Sequence, residues 1–241
     1  MDQNGRLAVF QAQVENVRSL KTAMLQVRRS VNAALRSNDQ ITVDAFTKVY
    51  ALLFCAWAEA NFSKVIHTPY GFDLDEIAQV KTVKEGGIAF AWEKCVQLGL
   101  RHLDAKRGSF TPNALLKLKA AINAHVFDPS LLRNKLAHGQ WVIALNRPND
   151  AVQEEFTARI KELDVVKIGA WITGHELLAN LVEQLIESPK KAFMRDWFKY
   201  VVDLEQHMIE AERQTLGEHV AKLLAKDKNT GAKEKRRGAQ I

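Results

Sequence analysis

The sequence has few cysteines and no long uninterrupted apolar run. Its two cysteines, Cys55 and Cys95, lie 40 residues apart in apolar surroundings, which is typical of reduced core thiols rather than of disulfides or a metal site. The longest apolar run, at 50–58, has about half of the ~20 residues that a membrane span requires. The first twenty residues contain no secretory signal, so we expect a cytoplasmic protein with no membrane partner.

Several widespread catalytic signatures are also missing. The sequence contains no G-x-x-x-x-G-K, G-x-G-x-x-G or G-x-S-x-G motif, which disfavours kinases, dinucleotide enzymes and serine hydrolases. The stretch GHELL at 174–178 begins like a zinc-protease motif, but Ala179 stands where the second histidine is required. The remaining histidines show no metal-ligand spacing and are read as core or surface residues. We therefore expect neither a metal nor a cofactor.

Positive charge is concentrated at the two ends of the chain. The formal net charge is +6, and residues 1–37 and 226–241 each contribute +4, which leaves −2 for residues 38–225. A polyanion would be attracted mainly at these ends, although such charge runs also serve solvation alone. The tail at 226–241 has almost nothing to bury and is predicted to be disordered.

Apolar residues recur at helical spacing through most of the chain. A stripe from Leu7 to Leu35 repeats every 3.5 residues on average, which predicts one long helix over 5–37 that needs a partner helix. The same reasoning predicts helices over 42–66, 73–80, 84–103, 112–126, 128–138 and 165–187, with one or two more over 191–225.

Cap residues set the expected ends of two central helices. Thr111 before Pro112 and Asp128 before Pro129 are typical of an N-cap followed by the first helical residue. Gly139 stands where a left-handed residue commonly ends a helix.

One short β interruption is predicted in this helical chain. The segment WVIALN at 141–146 is the best strand candidate, and after the turn residues RPND a partner strand is expected near 154–160. Residues 1–225 are thus predicted to form a single all-α domain with one short β-hairpin.

The stretch RNKLAHG at 133–139 combines three side chains that suit phosphodiester chemistry. Arg133, Asn134 and His138 lie opposite the apolar residues of their helix, over an arc of roughly 140°. Arginine matches phosphate oxygens, asparagine can orient a hydroxyl group, and histidine moves protons near neutral pH. Such a set suits attack of a ribose 2′-hydroxyl on its own 3′-phosphate. Simple helix capping by the histidine, with a solvated arginine and asparagine, is the alternative.

RNKLAH resembles the R-x4-H signature of the HEPN superfamily. Its position at the end of a short helix follows the order of HEPN domains, and FCAWAEANFSKVI is similar to the HEPN helix that carries aromatic residues and an acid. The resemblance covers about 42–188, with long additional helices at both ends. It implies an up-and-down helical bundle that forms a homodimer with two facing motifs. In many members it also implies a metal-independent endoribonuclease that leaves 2′,3′-cyclic phosphate ends.

Residue roles follow from this resemblance. His138 would be the general acid or base, Arg133 would bind the phosphate, and Asn134 would orient the RNA substrate. Glu59 is a weaker candidate that would position Arg133 or His138, and a solvated surface glutamate is the alternative.

Further basic residues are weaker candidates for RNA binding. Lys135 lies within the motif, where solvation at the rim is the alternative. Lys191, Arg195 and Lys199 recur every four residues on the penultimate predicted helix and would form a basic stripe.

Three functional readings remain open. The resemblance implies a toxin or anti-phage defence nuclease, restrained by an antitoxin or another regulatory protein. HEPN toxins controlled by nucleotidyltransferases usually carry tyrosine two residues after the histidine, and Gln140 replaces it here, so control through that tyrosine is not expected. The second reading is a non-catalytic HEPN-fold adaptor that binds RNA or a protein, and the third is an unrelated helical interaction protein.

Overall fold

Helices account for almost all of the chain that the structure describes. A computed structural model describes residues 2–103 and 109–226, so the predicted all-α class is confirmed. Within these residues the helices are α1 Gln3–Ser37, α2 Gln40–Ile66, α3 Leu74–Lys84, α4 Ile88–Arg101, α5 Phe110–Ile122, α6 Asp128–Ala137, α7 Glu154–Lys161, α8 Val165–Glu187, α9 Met194–Arg213 and α10 over 216–226. The tail predicted to be disordered, at 226–241, lies outside the described residues apart from its first residue.

The first two helices form an antiparallel hairpin. Asn38 follows α1 in a left-handed conformation, with φ 57°, and turns the chain back towards α2. Asp39 then caps α2, because its carboxylate accepts a hydrogen bond from the N–H of Thr42 at 3.2 Å. Met24 of α1 and Tyr50 of α2 belong to the same buried cluster. The apolar stripe of the first helix thus has its partner within the same chain.

Two buried clusters make up the core, and α8 contributes to both. The first joins α1, α2 and α6 around Phe54 and includes Ile168 of α8. The second joins α3, α4, α5 and α9 around Trp92 and includes Leu185 of α8. Helix α2 also contributes to both, through Phe54 and Phe62, so α2 and α8 together connect the two halves of the bundle.

Helix α2 has the length and apolar composition of a helix that could cross a membrane. Its mean hydropathy over the most apolar stretch is 1.4, and 33% of that stretch is buried. Core helices of soluble proteins have the same properties. In the fold, α2 packs against α1, α6 and α8.

The ends of α5 and α6 only partly follow the cap predictions. Helix α5 begins at Phe110, after Ser109, so the N-cap predicted at Thr111 is wrong. The Phe110 ring packs against Trp197 with centroids 5.4 Å apart, and this contact holds the earlier residue in the helix. Gly139 has φ +77°, which confirms the left-handed residue predicted at the end of α6.

A π-helical turn over 123–127 joins α5 directly to α6. The N–H of Asp128 donates to the carbonyl of Asn123, five residues back, and Asp128 has helical dihedral angles. The N-cap predicted at Asp128 is therefore wrong, because the wider turn keeps the chain helical through this point. One consequence is a bulge in the helix immediately before the R-x4-H motif.

The β-hairpin predicted after the motif is reduced to one antiparallel bridge between Leu145 and Val152. Its expected second strand, residues 154–160, lies in α7 instead. Phe156 and Ile160, four residues apart, both face the core side of this short helix, and helical packing of this pair replaces strand pairing.

Candidate active site

The side chains of Arg133 and Glu59 form an ion pair between α6 and α2. Arg133 Nη2 lies 2.8 Å from Glu59 Oε1, and the two side chains are 40% and 42% exposed. Arg133 Nη1 also donates to Asn134 Oδ1 at 3.3 Å. The apolar side of α6, with Leu132 and Leu136, is buried against α2, and this packing directs Arg133 towards Glu59. The structure thus brings three of the four proposed site residues together.

His138 stands apart from this group. It is the C-terminal residue that follows α6, and its side chain is exposed. Its imidazole forms no hydrogen bond or ion pair with any residue in 2–103 or 109–226. Among the described residues, therefore, the imidazole has no side-chain partner.

Exposed apolar residues follow His138 directly. Trp141, Val142 and Ile143 are all at least one-third exposed, and Trp141 Nε1 donates to the carbonyl of Leu136 at 3.0 Å. This hydrogen bond fixes the indole against the end of α6. An exposed apolar patch with a defined geometry is typical of an interaction surface.

Lys135 points into the protein. Its ammonium donates to the carbonyl of Leu145 and lies 5.4 Å from the centre of the Phe156 ring. Gln140 assists from the other side, because its Oε1 accepts from the N–H of Leu145 at 2.8 Å. Both side chains therefore fix the segment that carries the apolar patch.

The predicted basic stripe is distributed over two elements. Lys191 lies in a π-helical turn over 189–193, and Arg195 and Lys199 are exposed on α9. Arg195 forms an ion pair with Asp196 at 2.7 Å, which neutralises part of the stripe. Helix α9 packs mainly against α8 and the 189–193 turn. The stripe therefore lies on elements other than α6, which carries the R-x4-H motif.

A cavity of about 380 Å³ opens beside Arg133. The charged residues that line it, Glu59, Lys84 and Arg133, are partly exposed, whereas much of the remaining wall is buried and aromatic or aliphatic. Phe54 comes from the first core cluster and Trp92 from the second, so the cavity lies where the two clusters meet. Its volume is within the lower part of the ~300–1,000 Å³ range of small-molecule sites.

Two buried histidines, His125 and His175, line this cavity. The His175 ring lies edge-on between Trp57 and Trp92, with centroid distances of 5.2 and 5.5 Å. Burial lowers the pKa of His175 to about 4, although an interaction with the main-chain carbonyl of His125 favours the charged form. Burial and the neighbouring His207 lower the pKa of His125 to about 4 as well. Both rings are therefore neutral near pH 7.

The cavity was not predicted, because the sequence analysis interpreted His125 as a core or surface residue and considered His175 only within the incomplete zinc motif GHELL. They lie 50 positions apart, on the π-helical turn and on α8, and no spacing rule connects them. Gly174, in the interior of α8 and next to His175, was the available signal, since a helix-interior glycine often marks a close approach.

Comparison with known proteins supplies no relative. No family model, curated protein or solved structure matches this chain. No group of three or more metal-ligating side chains that could hold an ion occurs among the described residues. The chemistry of the site therefore follows from its own groups: a guanidinium held by a carboxylate, an exposed imidazole, and an apolar cavity with neutral polar groups.

Proposed function

We propose that the protein is a metal-independent endoribonuclease of the HEPN type that acts as a homodimer. The observation that carries this proposal is the Arg133–Glu59 ion pair, which holds a half-exposed guanidinium five residues before an exposed imidazole. A permanently charged, fixed guanidinium suits a phosphate whose negative charge increases in the transition state. The exposed imidazole suits proton transfer at neutral pH.

In the proposed reaction the RNA supplies its own nucleophile. The 2′-hydroxyl loses its proton to a base as its oxygen attacks the adjacent phosphorus, and the bond from phosphorus to the 5′-oxygen breaks. The departing 5′-oxygen takes a proton from an acid, which leaves a 2′,3′-cyclic phosphate and a 5′-hydroxyl end. Arg133 stabilises the charge on the phosphorane oxygens, and Asn134 orients the ribose.

The proposal requires a second chain. A base and an acid act on opposite sides of the phosphorus, whereas one motif contains a single histidine, His138. A two-fold axis beside the end of α6 supplies the second imidazole. The exposed apolar residues at 141–143 are the surface that we assign to this contact. A nuclease of this kind needs restraint in the cell, so a toxin or defence role with a neutralising protein partner completes the proposal.

The decisive test is cleavage of end-labelled structured RNAs in excess EDTA. We expect the wild type to cut RNA with cyclic phosphate ends, and His138→Ala to lose about 10²-fold or more of this activity. His102→Ala removes a partly exposed histidine that pairs with Glu76. It serves as the matched control and should cut normally. Equal cutting by wild type and His138→Ala would reject the assignment.

The isolation of His138 favours one alternative, a non-catalytic RNA-binding adaptor. On this reading His138, which has no side-chain partner in residues 2–103 and 109–226, takes no part in catalysis. In that case wild type and His138→Ala would bind RNA equally, with affinity that falls as salt rises, and neither would cut it.

A further inference from the structure

The cavity beside Arg133 contains polar groups that the protein itself does not satisfy. Trp92 Nε1 and His125 Nε2 form no hydrogen bond, and the His175 ring nitrogens have no partner in good hydrogen-bond geometry, although the main-chain carbonyl of His125 lies near the ring. All three residues are at least nine-tenths buried, and all three line the cavity. Native proteins rarely leave such groups unpaired, so these groups indicate a ligand with polar atoms of its own.

The buried groups define the chemistry of that ligand. The indole N–H of Trp92 is a donor, and each neutral imidazole offers one donor and one acceptor. The walls between them are apolar and aromatic, and the charged lining residues lie only on the partly exposed side. A planar heterocycle with donors and acceptors at its edge fits these walls. A sugar, with polar groups on all sides, does not.

The mouth of the cavity attracts an anion. Arg133 and Lys84 both line it, and the single acidic residue there, Glu59, is paired with Arg133, so the lining keeps a net charge of +1. Helix α4 begins at this mouth without a side-chain cap, after Gly87 with φ +142°. The N–H groups of its first turn therefore remain available, and the positive end of the helix dipole adds to this net positive charge.

From this juxtaposition we propose that the cavity binds one nucleotide unit. The nucleobase lies against Trp92, His125 and His175, and the phosphate lies between Arg133, Lys84 and the first turn of α4. The nucleotide is either a free mononucleotide or one residue of an RNA chain, in which case the inference rests on the proposed function. In the RNA case, a base held in the cavity would position a phosphate beside Arg133 and so select the cleavage site.

Titration calorimetry of the full chain with AMP, GMP, CMP and UMP tests the free-nucleotide source. We expect at least one mononucleotide to bind, with ribose 5-phosphate and inorganic phosphate roughly tenfold weaker or more. His175→Phe keeps a ring among the aromatic neighbours and removes the two unpaired nitrogens, so it should fold normally and bind roughly tenfold more weakly. His67→Phe, at a buried histidine outside the cavity, is the matched control and should bind as the wild type does.

Fluorescence anisotropy with 2′-O-methyl RNA, which cannot be cut, tests the RNA source. In a series of oligonucleotides with one abasic residue at successive positions, binding should weaken at one position only. In His175→Phe, binding should no longer depend on that position. Base-dependent binding of a mononucleotide or of RNA, without any RNA cleavage, would support the inference and reject the nuclease. The inference would be overturned if binding showed no base dependence in either assay, or if His175→Phe bound as the wild type does in both. If the wild type still cut RNA in the cleavage assay, the nuclease proposal would stand.

Discussion

Gly174 and His125 approach so closely that no larger residue fits at position 174. A Cβ atom built on Gly174 would lie 2.2 Å from Nδ1 of His125. This contact between α8 and the π-helical turn places the His125 ring at the wall of the cavity. The π-helical turn between α5 and α6 and Gly174 in α8 therefore together fix the position of the His125 ring.

Replacement of Gly174 by alanine should destabilise the fold and displace His125. Overpacking of a tight core contact costs about 1–3 kcal/mol, which exceeds the gain of about 1 kcal/mol from better helix propensity. Urea unfolding of Gly174→Ala measures the difference. Gly169→Ala is the matched control on the same helix, because a Cβ there meets nothing within 4 Å. It should be neutral or stabilising, and equal effects of the two substitutions would contradict the close contact.

The buried histidines should make stability fall as the pH falls below about 6.5. An unfolded imidazole has a pKa near 6.5 and takes up a proton there, whereas folded His125 and His175 stay neutral until the pH approaches about 4. The unfolded chain therefore binds more protons in this window, and stability present above pH 6.5 is progressively lost. By linkage the loss is about 2 kcal/mol for each histidine at pH 5.

The variant His175→Phe isolates this effect from the titration of carboxylates. It should reduce the decrease in stability between pH 7 and pH 5 by about 2 kcal/mol, the share of one histidine, as measured by urea unfolding at each pH. At pH 7 it should be at least as stable as the wild type, because an unsatisfied polar ring is replaced by an apolar one. An unchanged pH dependence would show that His175 protonates normally in the folded state.

Long periodic segments made most of the helices predictable from the sequence. Helices α1, α2 and α8 lie within a few residues of their predicted bounds, because each has apolar residues at helical spacing over many turns and an aspartate cap at its start. The short helix α7 was predicted as a strand, since a segment of 8 residues contains too few turns to reveal its period.

The candidate site was only partly predictable for a different reason. Arg133, Asn134 and His138 share one short stretch, so their pattern is visible in the sequence. The pairing of Glu59 with Arg133 was one of two options, and only the packing of α2 on α6 brings these two together. The cavity depends on His125 and His175 meeting across the bundle, which no local pattern specifies.

The Glu59→Gln substitution should separate activity from stability. The ion pair with Arg133 is half-exposed, so its loss should cost less than about 1 kcal/mol of unfolding free energy. If the carboxylate positions the guanidinium for catalysis, RNA cleavage should fall roughly tenfold or more, mainly through kcat. Glu205→Gln, in the similarly exposed pair with Lys117, is the control and should change neither quantity. Full activity of Glu59→Gln would show that its ion pair with Arg133 has no role in catalysis.

An acidic residue at position 142 should weaken self-association. Val142 is 66% exposed and makes up the centre of the apolar stretch after His138, so burial of a carboxylate there in a two-fold contact is unfavourable. Sedimentation velocity should show that Val142→Asp shifts dimer to monomer by roughly tenfold or more in Kd, with a parallel loss of RNA cleavage that higher protein concentration restores. Tyr70→Asp, at a 93% exposed aromatic residue in the loop after α2, should leave both unchanged. A Val142→Asp variant that remains dimeric and active would move the two-fold axis away from this segment, and His138 would then need a partner from elsewhere.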